Sequence, residues 1–405
     1  MNVLLVAPQL SPNTQSCLDA LCALDLRLAI VTSLSKEQLP ERYRRRLDGH
    51  YRVSDCGNEA QLTAACQHFQ KEWGRVERLI GFLETLQVPL GIARDRCGIP
   101  GMGAEVAQNF REKNQMKQVL RQAGLPVARQ ALLHNLEEGR RFIGQVGYPI
   151  VVKPPAGMGS RATMRVRNAE ELVEALKVLE VSPKNPAQAE EFVTGEEHTF
   201  ETVSIGGKPV WHSSSYYIPG PLQVLENPWM QYSILLPKER LQPHAEAFRP
   251  TNIRALAALG METGLSHMEW FLRADGTPVI SEVGARPPGV NLMPMMGLAH
   301  GVDFWQQWVE LMVLGRWNLP ERRFAAGCVF FRGQGRGERV TAIHGLEEAQ
   351  EKVGKYVVDK LLPQVGQRKA SGYEGEGWAL VRAESTAEAV SALKGLLTTV
   401  RVELG

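Results

Sequence analysis

Short apolar runs alternate with amphipathic stretches from the first residues of this 405-residue chain. Val3 to Ala7 is wholly apolar and of strand length, Cys17 to Leu24 has apolar residues at helical spacing, and Leu28 to Thr32 is a second strand-like run. Ala60 to Trp73 returns to the helical period, and Arg78-Leu79-Ile80-Gly81-Phe82 reads as a further strand. Strands alternating with helices of this size predict a parallel sheet with crossover helices. The expectation is a Rossmann-like domain over roughly residues 1–105. Pro8-Gln9-Leu10-Ser11-Pro12 follows the first strand where a dinucleotide site would need G-x-G-x-x-G, so no such site is expected.

Glu112 to Ala123 is helical in pattern and is stopped by Gly124 and Pro126. Tyr148 to Lys153 reads as a strand, Pro154 to Ser160 as a Gly/Pro-rich turn, and Thr163 to Arg167 as a second strand. A helix over Ala169 to Leu179 and a strand over Ala189 to Val193 complete a small α+β unit. Its Gly/Pro-rich borders suit a lid that moves against the body. Phe304 to Leu314 is helical, and from Gly327 strands and helices alternate again, ending in a helix over Glu388 to Leu397 and a last strand.

Between these lies His267 to Val283, two β-prone stretches around Asp275-Gly276, a strong hairpin signal. A two-residue turn there sets Ala274 opposite Thr277, Phe271 opposite Ile280, Glu269 opposite Glu282 and His267 opposite Gly284. Opposed residues of an antiparallel pair share a face, with Cβ atoms about 5 Å apart. Two carboxylates therefore stand side by side, and at an effective dielectric near 20 they repel by roughly 3 kcal/mol unless they splay or bind something.

Composition narrows the class. A net charge of +2 gives no reason to expect nucleic acid or an anionic membrane as partner, and Glu41 to Arg46 reads as a solvated basic helix face. Six cysteines without a C-x-x-C pair are expected to be reduced packing residues. No apolar stretch approaches 18 residues and Met1 to Pro8 has no basic leader, so a cytoplasmic protein without a membrane span is expected.

Three segments could carry chemistry. Lys153 with the turn holding Gly157, Gly159 and Ser160 offers charge and close-approaching backbone N–H groups to phosphate, although such a segment alone is more often a plain hairpin loop. Glu190-Glu191-Phe192-Val193 with Glu196 and Glu197 can present backbone groups to a base edge and a carboxylate to a ribose; alone it is an acidic surface turn. Glu282 followed by Arg286 joins the carboxylate pair to a residue suited to bidentate phosphate contact. One or two carboxylates plus substrate phosphates is the usual Mg²⁺ arrangement, while glutamates splayed into water and a surface ion pair are the alternative.

The order Lys113, Val-Val-Lys153-Pro, Gly159-Ser160, Glu190-Glu-Phe-Val, Glu197, Glu269, Glu282-x-x-x-Arg286 resembles the ATP-grasp superfamily. Gly81-Phe82-Leu83-Glu84 and Gly98-Ile99-Pro100-Gly101 resemble the domain that precedes the grasp. His267-x-Glu269 with Glu282-x-x-x-Arg286-x-x-Gly289-x-Asn291 is most similar to the L-amino-acid ligase branch. The resemblance implies an α/β and α+β chain: a Rossmann-like pre-ATP-grasp domain over 1–105, a mobile lid region over 106–195, a catalytic core over 196–325 and a small C-terminal subdomain over 326–405.

It further implies ATP with Mg²⁺, Mn²⁺ being an alternative metal. Lys113 and Lys153 would hold the α- and β-phosphates, and Gly157 to Ser160 would cover the β- and γ-phosphates. Glu190 with the backbone of Glu191 and Val193 would bind adenine, Glu197 the ribose, and Glu269 and Glu282 the metal. Arg286 would stabilise the transferred phosphoryl group, with Glu84, His267, Val290 and Asn291 near the substrates. The expected reaction joins a small acid to an amine through an acylphosphate, releasing ADP and phosphate. A bicarbonate-using carboxylase and a catalytically inactive nucleotide-binding regulator are the alternatives, and a homodimer is the family habit. Gly284 departs from the pattern, since most members carry Asn there.

Overall fold

Four strands open the chain: Asn2–Val6, Arg27–Thr32, Gly49–Arg52 and Arg78–Ile80. They form a parallel sheet in the spatial order Gly49–Arg52, Arg27–Thr32, Asn2–Val6, Arg78–Ile80, as the alternation with helices predicts. The computed structural model describes residues 1–155, 162–239, 241–372 and 374–405. Near the first strand, Ser11 caps the helix Pro12–Cys22 by accepting from Thr14 N–H, which starts the helix five residues before the predicted apolar stripe.

A second, antiparallel sheet is small. It runs Gln130–Leu133, Ala187–Glu191, Ile150–Lys153, Met164–Val166, with helices Leu136–Val146 and Ala169–Val178 packed on it around Phe142, Leu172 and Val152. The helices before it, Ala104–Arg111 and Lys113–Gln122, pack elsewhere: Phe110, Met116 and Leu120 share a core with Trp270, Ile280 and Val283.

The third sheet has nine strands. From one edge it runs Pro278–Gly284, Gly264–Leu272, Glu196–Ile205, Tyr216–Ile218, Tyr232–Leu236, Ala325–Phe331, Gly377–Ala383, Val357–Leu361, with Lys208–Ser213 also on Glu196–Ile205. Strands from beyond residue 326 thus continue the same sheet. Helices Leu292–His300 and Phe304–Leu314 join it to the first sheet, since Trp305, Trp308 and Met295 share one core with Leu5, Ile30, Ile234 and Phe330. Among the described residues no helix is long and apolar enough to cross a membrane. The six cysteines are free.

The hairpin Gly264–Leu272/Pro278–Gly284 differs from expectation in its turn. The loop has three residues, Ala274-Asp275-Gly276, closed by Arg273 N–H to Thr277 O (3.0 Å) and Gly276 N–H to Arg273 O (2.9 Å). Gly276 supplies the positive φ of +80° that this loop requires, and Asp275 Oδ1 accepts from Thr277 N–H. Arg273 therefore faces Thr277, and Phe271 faces Val279 rather than Ile280. A bulge at Ser281 then shifts the register back, so Glu269 does face Glu282 and His267 does face Gly284. The bulge has a packing reason. Ile280 and Val283 are three apart yet fill the same core, which an unbroken period of two forbids.

Candidate active site

The open face of this hairpin, the small sheet and the end of the first sheet surround a cavity of about 950 Å³. Glu84, Lys113, Lys153, Glu190, Glu191, Val193, Glu197, His267, Glu269, Glu282, Arg286 and Val290 all line it. Asn291 does not; its side-chain amide donates to Cys328 Sγ at 3.5 Å. Gly157, Gly159 and Ser160 lie outside the described residues.

Glu112 sets the first two cations. Its carboxylate accepts from Asn114 N–H (3.0 Å) and Gln115 N–H (2.6 Å), so the helix starts at Lys113 and puts Lys113 and Lys117 one turn apart on the same buried face. Lys113 Nζ lies 2.7 Å from Glu282 Oε1. Lys117 Nζ lies 2.6 Å from Glu190 Oε2, and Lys153 Nζ lies 3.0 Å from the other oxygen of Glu190. Lys117 and Arg111 are absent from the sequence-based expectation. A lysine among the apolar positions Met116 and Leu120 of one helix face is the signal that could have marked Lys117.

Burial sets the protonation of these groups against their partners. It would raise the Glu190 carboxyl, but Lys117 and Lys153 outweigh it and hold the group down to about 2. Burial pushes Lys117 down to about 8 despite Glu190. For Lys153, Glu190 and Glu282 overcome burial and keep the ammonium above its ordinary value. Burial opposes ionisation of Glu282 too, and Lys113 and Lys153 win, leaving it below the carboxylate range. Glu197 goes the other way: burial first, then the Glu269 carboxylate, raise it well above that range.

His267 lies between two carboxylates. Its Nδ1 is 2.9 Å from Oε1 of the fully buried Glu201, and its Nε2 is 3.7 Å from Glu269 Oε1. Burial would neutralise the ring, yet the bonds to Glu201 and Glu269 raise it to about 9. The space above Gly284 belongs to Arg286, whose Cγ is 3.6 Å from where a Cβ would stand. The Arg286 guanidinium donates from Nε (3.2 Å) and one terminal nitrogen (2.6 Å) to Glu84 Oε2, and Arg111 reaches the other Glu84 oxygen at 3.3 Å. Trp211 is core, whereas Tyr216 to Gln223 line the cavity.

Among the described residues no group of three or more His, Cys, Asp or Glu side chains forms a metal cage. The opposed pair Glu269 and Glu282 offers two carboxylates beside lysines, which fits a hard cation completed by substrate phosphates.

Residues 112–195 match the family described as the carbamoyl-phosphate synthase L chain, ATP binding domain. Over its full length the chain superposes on the crystal structure of L-amino acid ligase from Bacillus licheniformis, with a TM-score of 0.77 and 21% identity, covering 98% of that chain. The fold is that of the ATP-grasp superfamily, built on a Rossmann-like first domain. The chain is similar to alanine–anticapsin ligase of Bacillus subtilis strain 168, at 25% identity over 59% of this chain and 54% of that one. It is also similar to the L-arginine-specific L-amino acid ligase of Bacillus subtilis, at 23% identity over 74% of each. The match to alanine–anticapsin ligase thus spans about half of that relative's length.

Proposed function

We propose that the protein is an ATP-dependent carboxylate–amine ligase. The observation that carries the reading is one cavity holding paired carboxylates Glu269 and Glu282, lysines 113 and 153, and the braced guanidinium of Arg286. Its volume of about 950 Å³ is at the upper end of small-molecule sites (roughly 300–1,000 Å³), which suits a nucleotide together with a second substrate.

In this reading Lys113 and Lys153 take the α- and β-phosphates. The backbone of Glu191 and Val193 meets adenine, with Glu190 beside it, and Glu197 meets the ribose. Glu269 and Glu282 hold Mg²⁺, which supplies charge neutralisation for the phosphates. Arg286, held in place by Glu84, stabilises negative charge on the transferred phosphoryl group and on the oxyanion of the acyl adduct. A substrate carboxylate oxygen attacks the γ-phosphorus and ADP leaves. The amine nitrogen then attacks the acyl carbon, loses a proton and expels phosphate. The remaining work of the chain is positioning and exclusion of water from the acylphosphate. Phe82, Trp305 and Val290 give the substrate end of the cavity an apolar wall, which suits an acid or amino acid with an apolar side chain.

The test is to incubate the protein with MgATP and a panel of small acids and amines. Release of ADP and phosphate that matches product mass only for particular acid–amine pairs is the expected result. Formation of AMP, or ADP release driven by bicarbonate alone, would overturn it.

A further inference from the structure

Glu190 is bound by two cations, yet only one of them has a second task. The carboxylate is 6% exposed, with Lys117 on one oxygen at 2.6 Å and Lys153 on the other at 3.0 Å. Lys117 is itself 1% exposed, and its ammonium has no aligned hydrogen-bond acceptor among the described residues. Burying a long cationic side chain with spare donors is costly unless its charge is needed there. If Lys153 turns from Glu190 to a nucleotide phosphate, Glu190 loses half of its compensation inside the protein. Lys117, fixed on the helix one turn beyond Lys113, stays in contact with it.

We propose that Lys117 is a positioning residue for nucleotide binding: it is the resident counter-ion of Glu190 and releases Lys153 to bind phosphate. This rests on the ligase reading of the same cavity. Without Lys117, every phosphate that draws Lys153 away would leave a buried carboxylate unpaired, so the penalty falls on phosphorylated ligands. A ligand with the same base and sugar but no phosphate leaves Lys153 on Glu190 and escapes it. The separation between ADP and adenosine therefore reads out Lys117 itself, and general damage to the site does not reproduce it.

The experiment is calorimetric titration of the full chain with ADP plus Mg²⁺ and with adenosine. The variants are Lys117→Met, Lys117→Arg and the double variant Lys117→Met/Glu190→Gln. In Lys117→Met the ratio of ADP affinity to adenosine affinity is expected to fall at least tenfold, while Lys117→Arg keeps most of it. The double variant removes both buried charges, so its ratio returns to within about threefold of the parent even where Lys117→Met folds poorly. An unchanged ratio in Lys117→Met, equal losses for both ligands, or a double variant with no recovery would overturn the proposal. A parent protein that binds no ADP would instead overturn the ligase reading.

Discussion

Lys113 and Glu282 lie 169 positions apart in the chain and 2.7 Å apart in space. The pair ties the helix Lys113–Gln122 to the hairpin edge, and it joins an expected phosphate ligand to an expected metal ligand. Without ligands each neutralises the other.

A cation without nucleotide must therefore displace Lys113 from Glu282, whereas phosphate and cation arriving together exchange both partners at once. Mg²⁺ alone at millimolar concentration is expected to leave the thermal midpoint unchanged within about 1 °C. MgADP at about 100 times its Kd adds about 2.7 kcal/mol of stability and raises the midpoint by several degrees. An equal shift from Mg²⁺ alone would show that the pair does not gate the metal.

Glu282→Gln keeps the size of the side chain and removes its charge. Turnover is expected to fall by about 10²-fold or more, the scale of losing one electrostatic stabiliser. Metal-free ADP affinity should hold within about threefold, because the Lys113 ammonium itself is kept. Steady-state ADP release and titration with chelator present check the two halves separately.

Arg286 presents two nitrogens to one oxygen of Glu84, a geometry that a lysine cannot copy. Arg286→Lys is expected to lower kcat by about 10- to 100-fold, with ADP affinity little changed. A loss confined to nucleotide affinity would move Arg286 from the chemistry to the binding of ATP.

His198 is 4% exposed, stacks on Trp270 with ring centroids 5.0 Å apart and lies tilted 4.5 Å from His244; among the described residues its ring nitrogens make no hydrogen bond, the exposed Glu196 carboxylate lying 3.6 Å from Nε2. Burial first, then His244, push its imidazole down to about 4. The folded state thus binds fewer protons here than the unfolded chain, whose imidazole titrates near 6.5. The stability linked to His198 is present above about pH 6.5 and is lost as pH falls toward 4, by at most about 3 kcal/mol. Denaturant midpoints from pH 7 to pH 4.5 should fall more steeply for the parent than for His198→Phe. Parallel curves would remove His198 as a cause.

The early elements were legible because burial on both faces of a parallel sheet leaves runs such as Leu28 to Thr32, and the structure has strands there at Arg27–Thr32 and Asn2–Val6. The hairpin was legible from Asp275-Gly276, but its turn was not. Whether such a loop has two or three residues depends on how the strands twist and pack, and here the third residue and the Ser281 bulge cancel at Glu269 and Glu282.

By itself, the sequence determined the alternation of strands and helices, the hairpin, and the order of charged residues that resembles an ATP-grasp site. Tertiary structure alone decided which charges meet. Lys117 on Glu190, Lys113 on Glu282, Glu201 on His267 and Arg111 on Glu84 are contacts between segments far apart in the chain. Local patterns encode which face a side chain takes, because periodicity is a property of neighbours. The partner it finds there depends on how separate sheets and helices close around one cavity, and that is a property of the packed whole.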